Sequence, residues 1–153
     1  MTFRLLNALI TPGVARGEPI AYSLLRATYG LIMVTHGLPK LLRQAHGSMG
    51  DPMSASTRLI EQVLHLPFPE TLAWMVALLE GIGGLMLAAG LGTRVVAGLM
   101  AIQMLAITYI LGPTWAWIDR GIEYPVLMLS LSLYIVLRGP GFYSLDRRLA
   151  PAV

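Results

Sequence analysis

Glu80 lies near the middle of LAWMVALLEGIGGLMLAAGL, an apolar run over residues 72–91 that is about as long as the twenty residues a helix needs to cross a bilayer. A charged side chain at that depth costs about 2.5–3.5 kcal/mol on insertion scales, so the carboxylate must face other helices, find a cation or donor, or keep its proton. Other side chains able to answer it are spread along the chain: Arg26, His36 and Lys40 in a first apolar segment, Gln103 in a third, Glu123 and Tyr134 in a fourth. Acids and bases gathered in apolar surroundings can orient a small polar headgroup, and an imidazole, which titrates near neutral pH, can pass protons to it. Gly81, Gly83, Gly84, Ala88 and Ala89 follow Glu80 and let neighbouring backbones approach closely.

The elements that must position these groups are helices. Of the 153 residues, 56% are hydrophobic and 12% charged, and the mean hydropathy of +0.67 belongs to the membrane class. The length allows one domain, residues 1–153. Four spans are predicted, at about 20–38, 72–91, 94–111 and 122–137. The fold class is therefore all-α, an integral membrane four-helix bundle. An amphipathic interfacial helix is expected in the long first connection, started by Ser54 or Ser56, with Leu59, Ile60, Val63 and Leu64 on its apolar side. A short interfacial helix with Phe3, Leu6 and Ile10 on one face is expected before a break at Pro12 and Gly13. Trp115 and Trp117 suit a membrane-interface belt. The first nineteen residues lack a signal-peptide pattern, so uncleaved insertion is expected.

Four spans put both ends of the chain on one side. That side and the 90–94 turn carry Arg4, Arg16, Arg94, Arg138, Arg147 and Arg148, against Lys40, Arg43, Arg58 and Arg120 opposite, which favours cytoplasmic termini in a plasma (inner) membrane. At 100° per residue Arg26, Gly30, Met33, Gly37 and Lys40 fall on one inward line, with His36 beside them. Glu80 shares a stripe with Gly84 and Leu87. Glu123, Leu127, Ser130, Tyr134 and Arg138 form the corresponding line on the fourth helix, whereas the inward face of the third is ambiguous between Gln103 and the small residues Ala97 and Ala101. With ~1.5 Å of rise per residue, Glu80 and Gln103 come near mid-membrane and Arg26 within about two turns of them. The expected interior has two tiers, Arg26 with Glu80 below and His36 with Glu123 above.

Each residue also has a plainer role. Arg26 can snorkel to headgroups; Glu80 can form a structural ion pair or donate as a neutral acid; His36, Lys40 and Glu123 can be ordinary interfacial groups; Ser130 and Tyr134 can be packing residues. Other chemistries find no support. There is no cysteine for disulfide relay or iron-sulfur ligation, and no ExxH or HxxxH pair for a metal. His46 and His65 lie in the long connection, away from a bis-histidine haem geometry. No phosphate loop or nucleophile elbow occurs. The basic residues are scattered, which argues against nucleic acid as a partner.

Arg26, HGLPK at 36–40, EGIGGLMLAAGLGTR at 80–94, EYPVLML at 123–129 and GPGFYSLDRRL at 139–149 resemble, in this order, the DoxX family of small four-helix membrane proteins. The chain departs from the family pattern at Phe142, where an arginine is common. The resemblance implies a membrane component associated with oxidoreductases. Some relatives are subunits linked to thiosulfate:quinone oxidoreductase, and others belong to oxidative-stress complexes. It implies no covalent cofactor, a quinone as ligand, and a bilayer, a soluble oxidoreductase or a second copy as partner. Arg26, His36, Lys40, Glu80, Gln103, Glu123 and Tyr134 are the candidate ligand-binding residues, with Arg26 and Glu80 orienting a headgroup and His36 and Glu123 relaying protons. The alternatives are a non-catalytic scaffold or assembly factor, and a transporter of protons or small solutes, although paired inverted halves are not evident.

Overall fold

The computed structural model describes the backbone of residues 2–150 and the side chains of residues 14–116 and 118–150. Within them the chain is all-helical, with one isolated bridge between His46 and Met49 and no strands. Helix α1 runs unbroken over Thr2–Leu42. The expected interruption at Pro12 and Gly13 does not occur. A proline removes one donor, but the bonds of the flanking turns can carry a helix past it, and at Pro19 the carbonyl also accepts from Ser23 Oγ at 2.8 Å. The face expected from Phe3, Leu6 and Ile10, and the interfacial place expected for Trp117, lie outside the described side chains.

Helix α2 (Pro52–Gln62) fills part of the long connection, as its amphipathic pattern predicts, but its cap is Asp51 rather than a serine. The Asp51 carboxylate accepts from the Ser54 N–H at 3.0 Å and the Ser54 hydroxyl at 2.5 Å, and these bonds hold its carboxyl below the usual carboxylate range. Met53 and Ile60 of α2 pack on Ala73 and Ala77. Leu59 and Val63 stay exposed.

The run carrying Glu80 begins with Pro69 in the first turn of α3 (Pro69–Leu78) and ends with α4 (Gly84–Ala89). Between them one turn widens into a π-helix, Leu79–Gly83, with Glu80 at its second position. Such bulges frequently mark functional sites. This run lies directly on α1. A Cβ on Gly37 would collide with the Gly81 backbone nitrogen, and one on Gly30 with the Gly84 carbonyl, so at these points main chain touches main chain.

Gly90, in the left-handed region at φ 74°, ends α4 and turns the chain into α5 (Thr93–Leu111). α5 packs against α6 (Glu123–Arg138), and a short α7 (Leu145–Leu149) follows. The core joins all the long segments through Tyr22, Tyr29 and Met33, Leu87, Val96, Met100 and Met104, Met128 and Ile135. The Pro69–Ala89 and Thr93–Leu111 segments are long and apolar enough to cross a membrane.

The inward stripe predicted on α1 is observed: Arg26, Gly30, Met33 and Gly37 are buried, and Lys40 keeps 14% of its side chain open. On α5 both candidate faces turn inward, since Ala97, Ala101 and Gln103 are all buried. The stripe predicted on α6 is wrong. Pro125, Met128, Ser132 and Ile135 are buried there, whereas Leu127, Ser130 and Tyr134 are exposed. Periodicity groups residues on a line but does not orient that line. Here packing against α5 and α1 selects the face with Ser132, whose hydroxyl meets the buried Tyr29 hydroxyl at 2.6 Å.

Candidate functional site

The π-turn places the Glu80 side chain between α1 and α5, 3% exposed. Lys40 Nζ donates to both of its oxygens, at 2.7 and 2.6 Å, and Gln103 Nε2 donates to Oε1 at 2.5 Å. HGLPK explains the arrangement locally. Gly37 lets α1 rest on the backbone of the π-turn, and the side chains flanking it, His36 and Lys40, are four residues apart and so stand over one face of the turn.

Two adjoining cavities meet at this cluster and share His36, Lys40, Met49, Glu80 and Ile107 in their walls. One, of about 490 Å³, extends between α1, α5 and the start of α6 toward Arg120, Tyr124 and Pro125. The other, of about 240 Å³, runs beneath α2 past Leu59, Ile60 and Leu64 to Val76, Gln103 and Ile110. The arrangement is a few convergent polar groups set in apolar walls, the form of a small-molecule site. A lysine carries three donors. Two lie on Glu80, which leaves one for a ligand oxygen. His36 is exposed and lines both cavities, with the His46 ring 5.0 Å away edge to face. Among the described residues no group of three or more His, Asp or Glu side chains is placed to hold a metal ion.

Arg26 is elsewhere. Its guanidinium is 2% exposed and donates to the carbonyls of Pro140, of Tyr143 at 2.7 Å and of Ala88 at 3.5 Å. The expected Arg26–Glu80 pair does not exist, because α1 runs against α3 and α4 with Gly37 at Gly81 but Gly30 at Gly84 and Ala88, which carries Arg26 to the Gly90 turn. There it works with Asp146. That carboxylate accepts from the Gly92 and Thr93 N–H groups at 2.6 and 2.9 Å, capping α5, while the Asp146 N–H donates to the Gly90 carbonyl at 2.9 Å. Burial pushes the Asp146 carboxyl up, but the Thr93 and Gly92 donors outweigh it and hold it below its ordinary value. Ser144 caps α7. The SLD of the C-terminal motif is thus a clasp that closes the chain end on the α4–α5 turn.

Two more candidates leave the cluster. Glu123 is half-buried in the first turn of α6 and lines neither cavity, so the expected upper pair of His36 with Glu123 is replaced by His36 beside Lys40, Glu80 and His46. Tyr134 is exposed and sits edge to face on Tyr22 at 5.8 Å, at the Arg26 end. The structure brings His36, Lys40, Glu80 and Gln103 together. It adds His46, Met49, Arg120 and Tyr124, which single-helix stripes cannot reveal because loops and a second helix deliver them.

The family model described as DoxX matches residues 21–113, which take in the α1 stripe, Glu80 and Gln103. A protein of Bacillus subtilis (strain 168) named "Putative oxidoreductase CatD" is 28% identical over 128 residues, covering 80% of this chain and 82% of its own length. No solved structure matches the chain.

Proposed function

The chain belongs to the DoxX family, and from that premise we propose that it is an integral membrane component of a redox system, holding a quinone-like headgroup or similar small ligand beside Lys40, Glu80 and Gln103. In this reading α1, the α3–α4 run, α5 and α6 form a single-domain four-helix bundle in the plasma membrane with both ends cytoplasmic, and α2 lies on its outer mouth. Leu24, Leu31, Leu38, Ile82, Leu85, Ile102, Leu105, Leu133 and Leu137 all stand open, a belt that lipid would cover. The name of the Bacillus subtilis relative supports the redox theme.

The observation that carries the ligand role is a buried carboxylate–ammonium–amide cluster at the junction of two apolar-walled cavities. Lys40 supplies a donor to a headgroup oxygen, Glu80 and Gln103 keep Lys40 in place, and His36 with His46 stands where protons would enter or leave. A quinone, when bound, supplies the two-electron chemistry. The test is quinone binding by purified protein and by Glu80→Gln. Binding that weakens at least tenfold in a folded variant supports the role, and equal or absent binding rejects it.

A second reading has its own observation. Glu80 is already occupied by Lys40 and Gln103, as a pair that only fixes helix register would be. The protein then anchors a soluble oxidoreductase. Recovery of such a partner, with activity unchanged by Glu80→Gln, favours it.

A further inference from the structure

Arg26 is buried without an ion pair in direct contact. Both ion pairs among the described residues lie elsewhere, Lys40 with Glu80 and Arg138 with Glu18. Asp146 attracts Arg26 from beyond contact distance, its oxygens being held on the Gly92 and Thr93 N–H groups, and so offsets the charge only in part. Three carbonyls solvate the guanidinium without cancelling its charge, and its Nε, though buried, has no hydrogen-bond partner. The same end of the molecule gathers Arg94 at Gly139, Arg138 over the Tyr22 ring at 4.5 Å and Arg147 over the Phe142 ring at 4.2 Å. Beside Arg26 an open groove of about 540 Å³ runs along the outer side of α1, walled by Ile20, Leu24, Ala27, Ala88 and Tyr143. Ile20 and Leu24 are 51% and 63% exposed.

We infer that this groove binds an anionic phospholipid, its phosphate over Arg26 and an acyl chain along Ile20 and Leu24. Two requirements meet there. An apolar trough open to the surroundings takes a chain, and a buried cation with no ion pair in contact, at an end of the molecule rich in arginine, attracts an anion through low dielectric. Basic pockets between membrane helices hold anionic headgroups on this principle. A zwitterionic headgroup would bring its own cation against Arg94, Arg138 and Arg147 and gain less. The inference rests on the chain's lying in a membrane but not on the ligand role of the Lys40–Glu80 cavity.

The full chain, purified in detergent, is titrated with dioleoyl-phosphatidylglycerol, dioleoyl-phosphatidylcholine or inorganic phosphate. Thermal unfolding and lipid retention in native mass spectrometry are read in parallel. Phosphatidylglycerol should raise the midpoint by ~5 °C and leave one lipid bound, while the other two probes give less than about a fifth of that shift. Ala27→Trp, which fills the groove, should abolish both effects. Leu24→Glu, on the rim of the groove, should weaken phosphatidylglycerol at least tenfold by repulsion, with folding checked by its unfolding midpoint in the absence of lipid. Equal retention of both lipids, the same stabilisation by phosphate alone, or retention undiminished in both variants would overturn the site. Quinone binding by the same samples is scored separately, so either proposal can fail alone.

Discussion

Arg26 and Lys40 share the inward face of α1, yet main-chain carbonyls at the end of the fold hold Arg26, while a carboxylate beside two cavities holds Lys40. The difference follows from what each end of α1 faces. Near Arg26 the α4 C-terminus and the returning C-terminal loop present carbonyl groups, the negative ends of backbone dipoles, and a planar fork with five donors can bind several of them at once. Near Lys40 the π-turn presents one carboxylate, which a compact ammonium meets through both oxygens. One end closes the chain. The other keeps polar groups beside open space.

The largest effect that can break this comparison is at the Lys40–Glu80 pair. Lys40→Met or Glu80→Leu alone should cost about 3–5 kcal/mol in thermal unfolding, because each strands a buried charge, and the double variant should cost less than either single one. Additive losses would show that the two groups do not stabilise each other. At the closing end Asp146→Asn should cost about 1 kcal/mol, the usual worth of a helix cap. Its folded carboxyl titrates below its unfolded value, so its contribution is fully present above the ordinary carboxylate range and is lost as pH falls through the folded value. An acid-unfolding profile should therefore be less steep in Asp146→Asn than in the wild type. The smallest effect sharpens the orientation of α6. Ser132→Ala should cost about 1 kcal/mol by orphaning Tyr29, and Ser130→Ala, exposed and bonded only to Val126 within its own helix, should stay within about 0.5 kcal/mol.

Much of the molecule was legible in its residues. Apolar runs bounded by proline and glycine locate the later long helices to within a few residues but miss the N-terminal half of α1, which continues through Pro12 and Gly13, and the small and polar positions on α1 mark its buried face. Glu80 stood out because a carboxylate in such a run requires a partner. HGLPK and EGIGG were visible as motifs, but not as the two halves of one contact. Nothing in GPGFYSLDRRL shows that Asp146 pairs with the 92–93 backbone, because that contact spans more than fifty residues. The pattern points to Ser54 or Ser56 as the α2 cap, whereas Asp51, three residues before Ser54, caps it.

Sequence by itself determined that this chain is helical, where its apolar helical stretches lie, and that an acid and several bases must be buried within them, because hydropathy and helical period are properties of each segment alone. Tertiary structure decided which base meets the acid. That choice depends on the axial register of α1 against the π-turn, set by backbone contacts at Gly30 and Gly37, and a shift of a few residues there would have exchanged Lys40 for another partner.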